Sequence, residues 1–489
     1  MKQNYKHRLR CWSKRFASLL PYRQSGVNIP VYLPRLMMAD EELPRFVCEC
    51  ATTMALIPTY RLLPWQEMMQ SQHRQWFGQQ NVPQVAYIGA FLVKISLKLP
   101  SISHLRRFLV AHPALIWALG FPLFGQTATR HGFDPEQSVP TRQQFSRVVR
   151  DLDNGCLQTG LTAQVQQLQS LLPETFGQTV SLDTSHIVAW VKQNNPRQYI
   201  KEGRYDKENQ PVGDPDCKVG CKRAHNRVVK TPSKSGKAGS TVVLKDKEFY
   251  WGYASGAVVS KVPGWGEFVL AEMTDTFDKA DVRYFFPLME QVEKRLGFRP
   301  RFGALDAAFD AFYVYDYFHN QDHDSDHPNG FAAVPLKQPN APKRHFDETG
   351  LPLCDAGLFM PVRKTYTDRT KAIMPHQRAI HACPLLHPQP TGQLCPISHK
   401  QWGKGGCTVN LPTTSGVRLR HQLDRDSDKY KTVYAQRTAV ERIFSQAKAL
   451  GMERPKLRNQ QAITNYNSMI YLLINLQAIE RVLRRLSQD

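Results

Sequence analysis

Apolar residues in the first third of the chain recur every three to four positions. The run VAYIGAFLVKISLKL, 85–99, has this spacing and predicts a helix, and SISHLRRFLVAHPALIWALGF, 101–121, continues it with Ser101 or Ser103 as N-cap. VPTRQQFSRVVRDL, 139–152, opens with Thr141 in a capping position and carries Arg142, Arg147 and Arg150. A Gln-rich run, LTAQVQQLQSLL, links these helices to a region of different character. Upstream, residues to about Gln80 give short apolar pieces broken by Pro30, Pro34, Pro44, Pro58 and Pro64, a pattern of short, irregular helices. From Thr179 the period changes from helical to strand-like. TVSLDTSHIVAW, EFYWGYASGAVVSKV and GEFVLAEMTDTF read as three strands, DKADVRYFFPLMEQVEKRLGF as a helix, and RFGALD as a fourth strand ending in Asp306. A second helix is expected from about Asp310, which reads as its N-cap, and GFAAVPLK suggests a fifth strand. Near the end, NYNSMIYLLINLQAIERVLRRLSQ is a long amphipathic helix with a basic tail, expected to pack on the core of the fold or on a partner subunit. Strands alternating with helices place the chain in the α/β class.

The densest chemistry lies in YAQRTAVERIFSQAK, 434–448. On one continuous helix, Tyr434, Arg437, Glu441 and Lys448 project within roughly 60° of one another. A carboxylate among cations suits a ligand that carries both phosphates and a metal, because the carboxylate takes the metal and the cations take phosphate oxygens. A plain i, i+4 ion pair between Arg437 and Glu441 is the alternative.

The spacing Y-x2-R-x3-E-x6-K resembles the signature of DDE transposases of bacterial insertion sequences, the cut-and-paste group with a Y-R-E-K motif. SLDTSHIVAW, with Asp183, and RFGALDAAFDAFYVYDYF, with Asp306, resemble the two metal-binding strands of that family. The resemblance spans about Thr179 to Ile479 and implies a ribonuclease H-like catalytic core with a helical N-terminal region and an insertion before the last catalytic helix. It implies catalytic, metal-binding Asp183, Asp306 and Glu441, and DNA-end contacts by Tyr434, Arg437 and Lys448. Arg442 is a neighbour without a role in the motif. Three carboxylates suit two Mg2+ or Mn2+ ions, which activate a nucleophilic oxygen and stabilise a leaving one. The implied activity is cleavage at transposon ends and strand transfer into target DNA. Alternatives are a nuclease of the same fold without strand transfer and a DNA-binding protein without catalysis. Holding two transposon ends implies a homodimer on double-stranded DNA. His186, three residues from Asp183, falls on the opposite face of its strand and reads as structural.

The corresponding segments are a basic arm with irregular helices, 1–80; a helical, DNA-binding region, 81–170; the first part of the core, 171–340; the insertion, 341–427; and the last core helices, 428–489. The helix opened by Thr141 either enters a DNA groove or presents a solvated basic face.

Charge narrows the partners. Of 489 residues, 64 are Lys or Arg and 42 Asp or Glu, a formal charge of +22 that suits a polyanion. The longest stretch free of charged side chains, Phe108 to Thr129, is broken by Pro113, Gly120 and Pro122, so no membrane span is expected. The basic N-terminus lacks a long apolar core, so no secretory signal is expected either; it reads as a transit-like segment, a DNA-contacting arm or a basic tail. Ten cysteines then indicate a reducing compartment, the bacterial cytoplasm with its nucleoid.

Two loops admit two readings each. Between Trp190 and Lys247 the chain is polar and basic (Lys192, Arg197, Lys201, Arg204, Lys218, Lys222, Arg223, Arg227, Lys230, Lys234, Lys237) without periodicity, so it tracks a DNA backbone or is simply solvated. The insertion holds Cys354, Cys383, Cys395 and Cys407 among His376, His381, His387 and His399, either a structural Zn2+ site or reduced cysteines in loops. Cys217 and Cys221 form a weaker pair. Trp402 either stacks on a displaced base or packs internally. No phosphate-cradling Gly-rich motif is present, so ATP is not implied.

Overall fold

The computed structural model describes residues 34–69, 82–195, 203–222, 227–232, 238–243, 248–319, 330–337, 344–348, 350–369 and 373–488. The N-terminal arm to residue 33, and Arg197, Lys201, Arg223, Lys234 and Lys237 of the basic loop, lie outside the described residues.

The fold is mixed α/β. Its main sheet contains β1 (Thr179–Val188), β2 (Lys218–Lys222), β5 (Glu248–Val262), β6 (Gly266–Thr276), β7 (Phe302–Leu305) and β8 (Phe331–Ala333), in the order β2-β5-β1-β7-β8, with β6 also on β5. β5 runs antiparallel to β1, β2 and β6, whereas β1, β7 and β8 are parallel. The three expected long strands form at nearly the expected bounds because each is a run of apolar and small residues buried or half-buried along most of its length. Along β5, Tyr253, Ala257 and Val259 enter one core and Ala254, Val258 and Val262 the other. Both faces are therefore covered by helices.

One face carries the helical region: α1 (Gln84–Ser96), α2 (Ile102–Ala111), α3 (Arg142–Asp151) and the start of α4 (Asn154–Leu171). Ser101 and Thr141 cap α2 and α3 as expected, accepting from the backbone N–H of His104 and Gln144. The other face carries the end of α4, α5 (Phe285–Leu296) and α6 (Phe312–His319). Gly297, in the left-handed region at φ 77°, ends α5.

After α7 (Ser415–Gln422) come α8 (Asp428–Tyr434), α9 (Thr438–Ala449) and α10 (Gln460–Leu486). The last is buried around most of its circumference, not amphipathic, because three asparagines inside it reach different neighbours. Asn465 donates to the carbonyls of Val149 and Leu152 in the helical layer. Asn467 donates to Thr274, and Asn475 both donates to and accepts from the backbone of Val269, on β6. A buried amide offsets its desolvation cost only when partnered, so these bonds fix the register of the helix between helical layer and sheet.

The basic loop is more ordered than its lack of periodicity suggests. It supplies β2 and a separate hairpin of β3 (Arg227–Pro232) and β4 (Ala238–Val243). The inward–outward alternation at β2 covers only Cys217, Lys218 and Val219, too few positions to register as a strand. The insertion forms its own antiparallel sheet of β9 (Val362–Asp368), β10 (His376–Ala382) and β11 (Thr408–Pro412), in the order β11-β10-β9.

Candidate active site

Asp183 shares a face of β1 with Ile187, the face covered by α9, whose Ala439, Val440, Ile443, Phe444 and Ala447 are buried against β1 and β5. On the neighbouring parallel strand Leu305 is in register with Leu182, so Asp306, the next residue, stands beside Asp183. Asp306 stands just past the carboxyl end of β7, and Asp183 midway along β1, where the parallel pairing of the two strands stops.

Burial is the largest influence on both carboxyls, and it raises both. Asp183 is pushed up to about 7 by burial and then by the charges of Asp306 and Asp281, against the opposing backbone N–H of Thr184 and the Arg437 guanidinium. Asp306 is raised by burial and by Asp281, opposed by the Ala308 N–H and Arg437. Its Oδ1 accepts from Ala308 N at 2.8 Å, capping a 3-10 turn over Ala307–Phe309.

Asp281, which nothing in the sequence singles out, is the third carboxylate. It accepts a 2.6 Å hydrogen bond from the Thr184 hydroxyl. Its only sequence signal is an acidic residue near a helix start, a common place for a carboxylate that merely balances the helix dipole.

The Y-R-E-K run is not one continuous helix. α8 ends at Tyr434, a 3-10 turn covers Ala435–Arg437, and α9 begins at Thr438. The tighter turn nearly eclipses residues three apart, so Arg437 still lies 5.8 Å from the centre of the Tyr434 ring. Tyr434 also stacks on Tyr430, ring centres 5.6 Å apart. Arg437 donates to Glu441 at 2.8 Å, and the charges of Glu441, Tyr434 and Asp183 hold its guanidinium above its usual range although burial works the other way. The Glu441 carboxylate, 49% exposed, is thus held by Arg437 on the flank of α9. Lys448 is exposed two turns further on. Arg442 donates to Glu267 at 2.7 Å, tying α9 to β6.

The site therefore gathers Asp183, Asp306, Asp281 and Arg437. Among the described residues no group of three or more His, Cys, Asp or Glu side chains is arranged to hold a metal ion. The donor chemistry of the aspartate pair nevertheless fits a hard divalent cation, because two buried like charges side by side are relieved by one.

The remaining expected residues lie away from this centre. His186 packs on Phe277 and Tyr250, ring centres 4.3 and 6.1 Å away, on the face opposite Asp183. Asp310 is not an N-cap: Arg420 of α7 donates to both its oxygens at 2.7 and 2.6 Å, joined by the Tyr315 hydroxyl and Lys337 N–H. That ion pair fastens the end of the insertion to α6. Arg142, Arg147 and Arg150 are exposed on α3, with Phe145 and Val149 buried beneath. Cys217 and Cys221 lie about 13 Å apart along extended chain, too far to share a metal. Trp402 is half-buried. In the insertion, the Cys407 thiol is raised to about 12, first by burial and then by Cys383 and Cys354, with Cys383 also hydrogen-bonded to it.

Among the described residues no helix is long and apolar enough to cross a membrane. No family model and no curated protein matches the chain.

Proposed function

We propose that this chain is a DNA transposase of the DDE type, with a ribonuclease H-like core that cleaves at transposon ends and joins them to target DNA. The observation that carries the reading is the side-by-side placement of Asp183 and Asp306 on adjacent parallel strands, under the helix that bears Glu441. The strand order supports it too, since three antiparallel strands followed by two parallel ones is the order of a ribonuclease H-like sheet.

In this reading Asp183 and Asp306 hold Mg2+ or Mn2+, two ions with Glu441 as the third ligand. When bound, such ions lower the pKa of an attacking oxygen and neutralise a leaving one. The chain's own groups do the rest. Arg437, already drawn to the carboxylates, exchanges part of that attraction for a DNA phosphate, Tyr434 supports its guanidinium plane, and Lys448 takes a phosphate further along the helix. The +22 charge favours the polyanion over the whole surface. Two chains hold the two ends as a dimer on DNA.

The test is cleavage and strand transfer on DNA carrying the ends that flank the encoding gene, with Mg2+ or Mn2+. Asp183→Ala, Asp306→Ala and Glu441→Ala should each abolish nicking and joining while leaving DNA binding intact. Nicking without joined products would favour a nuclease. Binding of these ends with no cutting under any metal would favour a DNA-binding protein without catalysis, a reading to which the Arg437–Glu441 pair lends some support.

A further inference from the structure

We propose that Cys354, Cys383, Cys395 and Cys407 form a structural Zn2+ site that closes the small sheet of the insertion. The site is separate from the aspartate pair and does not depend on the function proposed above.

Strand register brings in the first two thiols. β10 and β11 pair Ala382 with Thr408, so Cys383 and Cys407 face each other across the next step, where the ladder ends. Gly406 closes the same corner: a Cβ there would lie 3.4 Å from the Cys383 sulfur. Cys354 opens a tight turn in which the Gly357 N–H donates back to its carbonyl. A bridge between Leu353 and Phe359 braces that turn, and the Ala382 N–H donates to the Pro361 carbonyl just beyond it, which brings the turn alongside Cys383. Cys395 arrives on the intervening loop. Its carbonyl accepts from Ser398 N, and the next residue, His399, reaches Asp355, the neighbour of Cys354, at 3.7 Å.

The insertion also needs a cross-link. Among the described residues from Phe346 to Pro412, Met360, Ala379, Ala382, Cys383 and Leu385 are buried, but none of them joins a larger hydrophobic cluster. The stretch between β10 and β11 contains one 3-10 turn, Trp402–Lys404, and no longer element, while Leu394 is 80% and Ile397 49% exposed. Loops beyond about 12–15 residues without secondary structure are uncommon in compact domains. Small units with little apolar core are commonly held by disulfides or by a metal. Four thiolates around Zn2+ have Zn–S bonds of about 2.3 Å in a tetrahedron, a spacing that facing residues at the end of a β-ladder can reach. The thiols as they stand do not converge at bonding distance on one point. Metal binding would have to draw the four thiols together, with their protons passing to solvent.

The full chain, purified under reducing conditions without chelator, should contain about one zinc per chain by elemental mass spectrometry. Cys354→Ser and Cys407→Ser should each lose it, and Asp183→Asn should keep it, so that failure of this site and failure of the proposed activity remain distinct. Exchange of Co2+ into the wild type should give the intense near-ultraviolet sulfur-to-metal absorption and visible bands of tetrahedral thiolate, a readout independent of how the variants fold. A wild type that carries no zinc after growth in zinc-supplemented medium and binds no cobalt overturns the proposal. So does zinc retained by both serine variants, or a Cys383–Cys407 disulfide in non-reducing peptide maps.

Discussion

Replacing Asp183 by asparagine should stabilise the protein at alkaline pH. The native carboxyl titrates near 7 against an ordinary value of 3.8, so between those values the native chain keeps a proton that the unfolded chain has already released. Stability then falls as pH rises through that window and stays low above it. At about 1.4 kcal/mol per pH unit, the rise corresponds to at most about 4 kcal/mol. The site is partly open to water, so a gain of about 1–3 kcal/mol at pH 8 is expected. Asparagine keeps an oxygen to accept from the Thr184 N–H, at 2.8 Å in the native chain, and removes only the charge. Urea denaturation without divalent cations, at pH 4, 6 and 8, measures the effect. The two proteins should diverge steadily across the series, with the variant ahead at pH 8. Equal or lower stability of Asp183→Asn at pH 8 would show that burial does not penalise this carboxylate and would remove the physical argument for a cation there. Mg2+ at about 100 times its dissociation constant should then add about 2.7 kcal/mol to the wild type and much less to the variant.

Arg420→Ala strands Asp310, whose side chain is fully buried, and should cost about 2–4 kcal/mol in chemical denaturation. Asp310 is held below its ordinary 3.8 even though burial alone would raise it, because Arg420, Lys337 N–H and Tyr315 outweigh that burial. Its contribution is therefore full above about pH 4 and fades as pH drops toward the lower native value, which a pH series on both proteins would reveal. Glu272 is buried and raised by burial, against hydrogen bonds from Ser468 and Gln158 and the nearby Arg295 charge. Glu272→Ala should lose about 2–4 kcal/mol by thermal denaturation, whereas Glu272→Gln should stay within about 1 kcal/mol, since it keeps the oxygen and drops the charge. Gly252→Ala would put a Cβ 2.1 Å from the Ile187 carbonyl oxygen. Parting β1 from β5 should cost about 2 kcal/mol or more, seen as a lower melting temperature or loss of soluble protein.

The long strands and helices were legible because their signals are local. β1, β5, β6 and α1 are each marked by a run of apolar residues close together in the sequence, and the hydroxyls of Ser101 and Thr141 sit beside the N–H groups they cap. What sequence alone missed depends on distant partners. β2 forms because β5 offers an edge some thirty residues downstream, and Asp310 looks like a cap until Arg420 arrives from the far side of the insertion. At the candidate site, both aspartates could be picked out because each lies in or at the end of an apolar strand. Asp281 could not, since its role rests on a bond to Thr184, 97 positions earlier. A stripe of four residues on one helix presumes uniform winding, and the 3-10 turn at Ala435–Arg437 breaks it.

The buried late helix α10 also says something about how the chain is made. Thr59 donates to Glu480 across 421 positions, and Gln164 to the Leu472 carbonyl across 308. During synthesis, the apolar surfaces of the early helices have no complete partner until almost the whole described chain has emerged. Loop-closure entropy makes such distant closure slow, and the waiting surfaces are open to aggregation meanwhile. Yield in a heterologous host should therefore respond to chaperone supply and to slower, cooler expression more than to the stability of the finished protein.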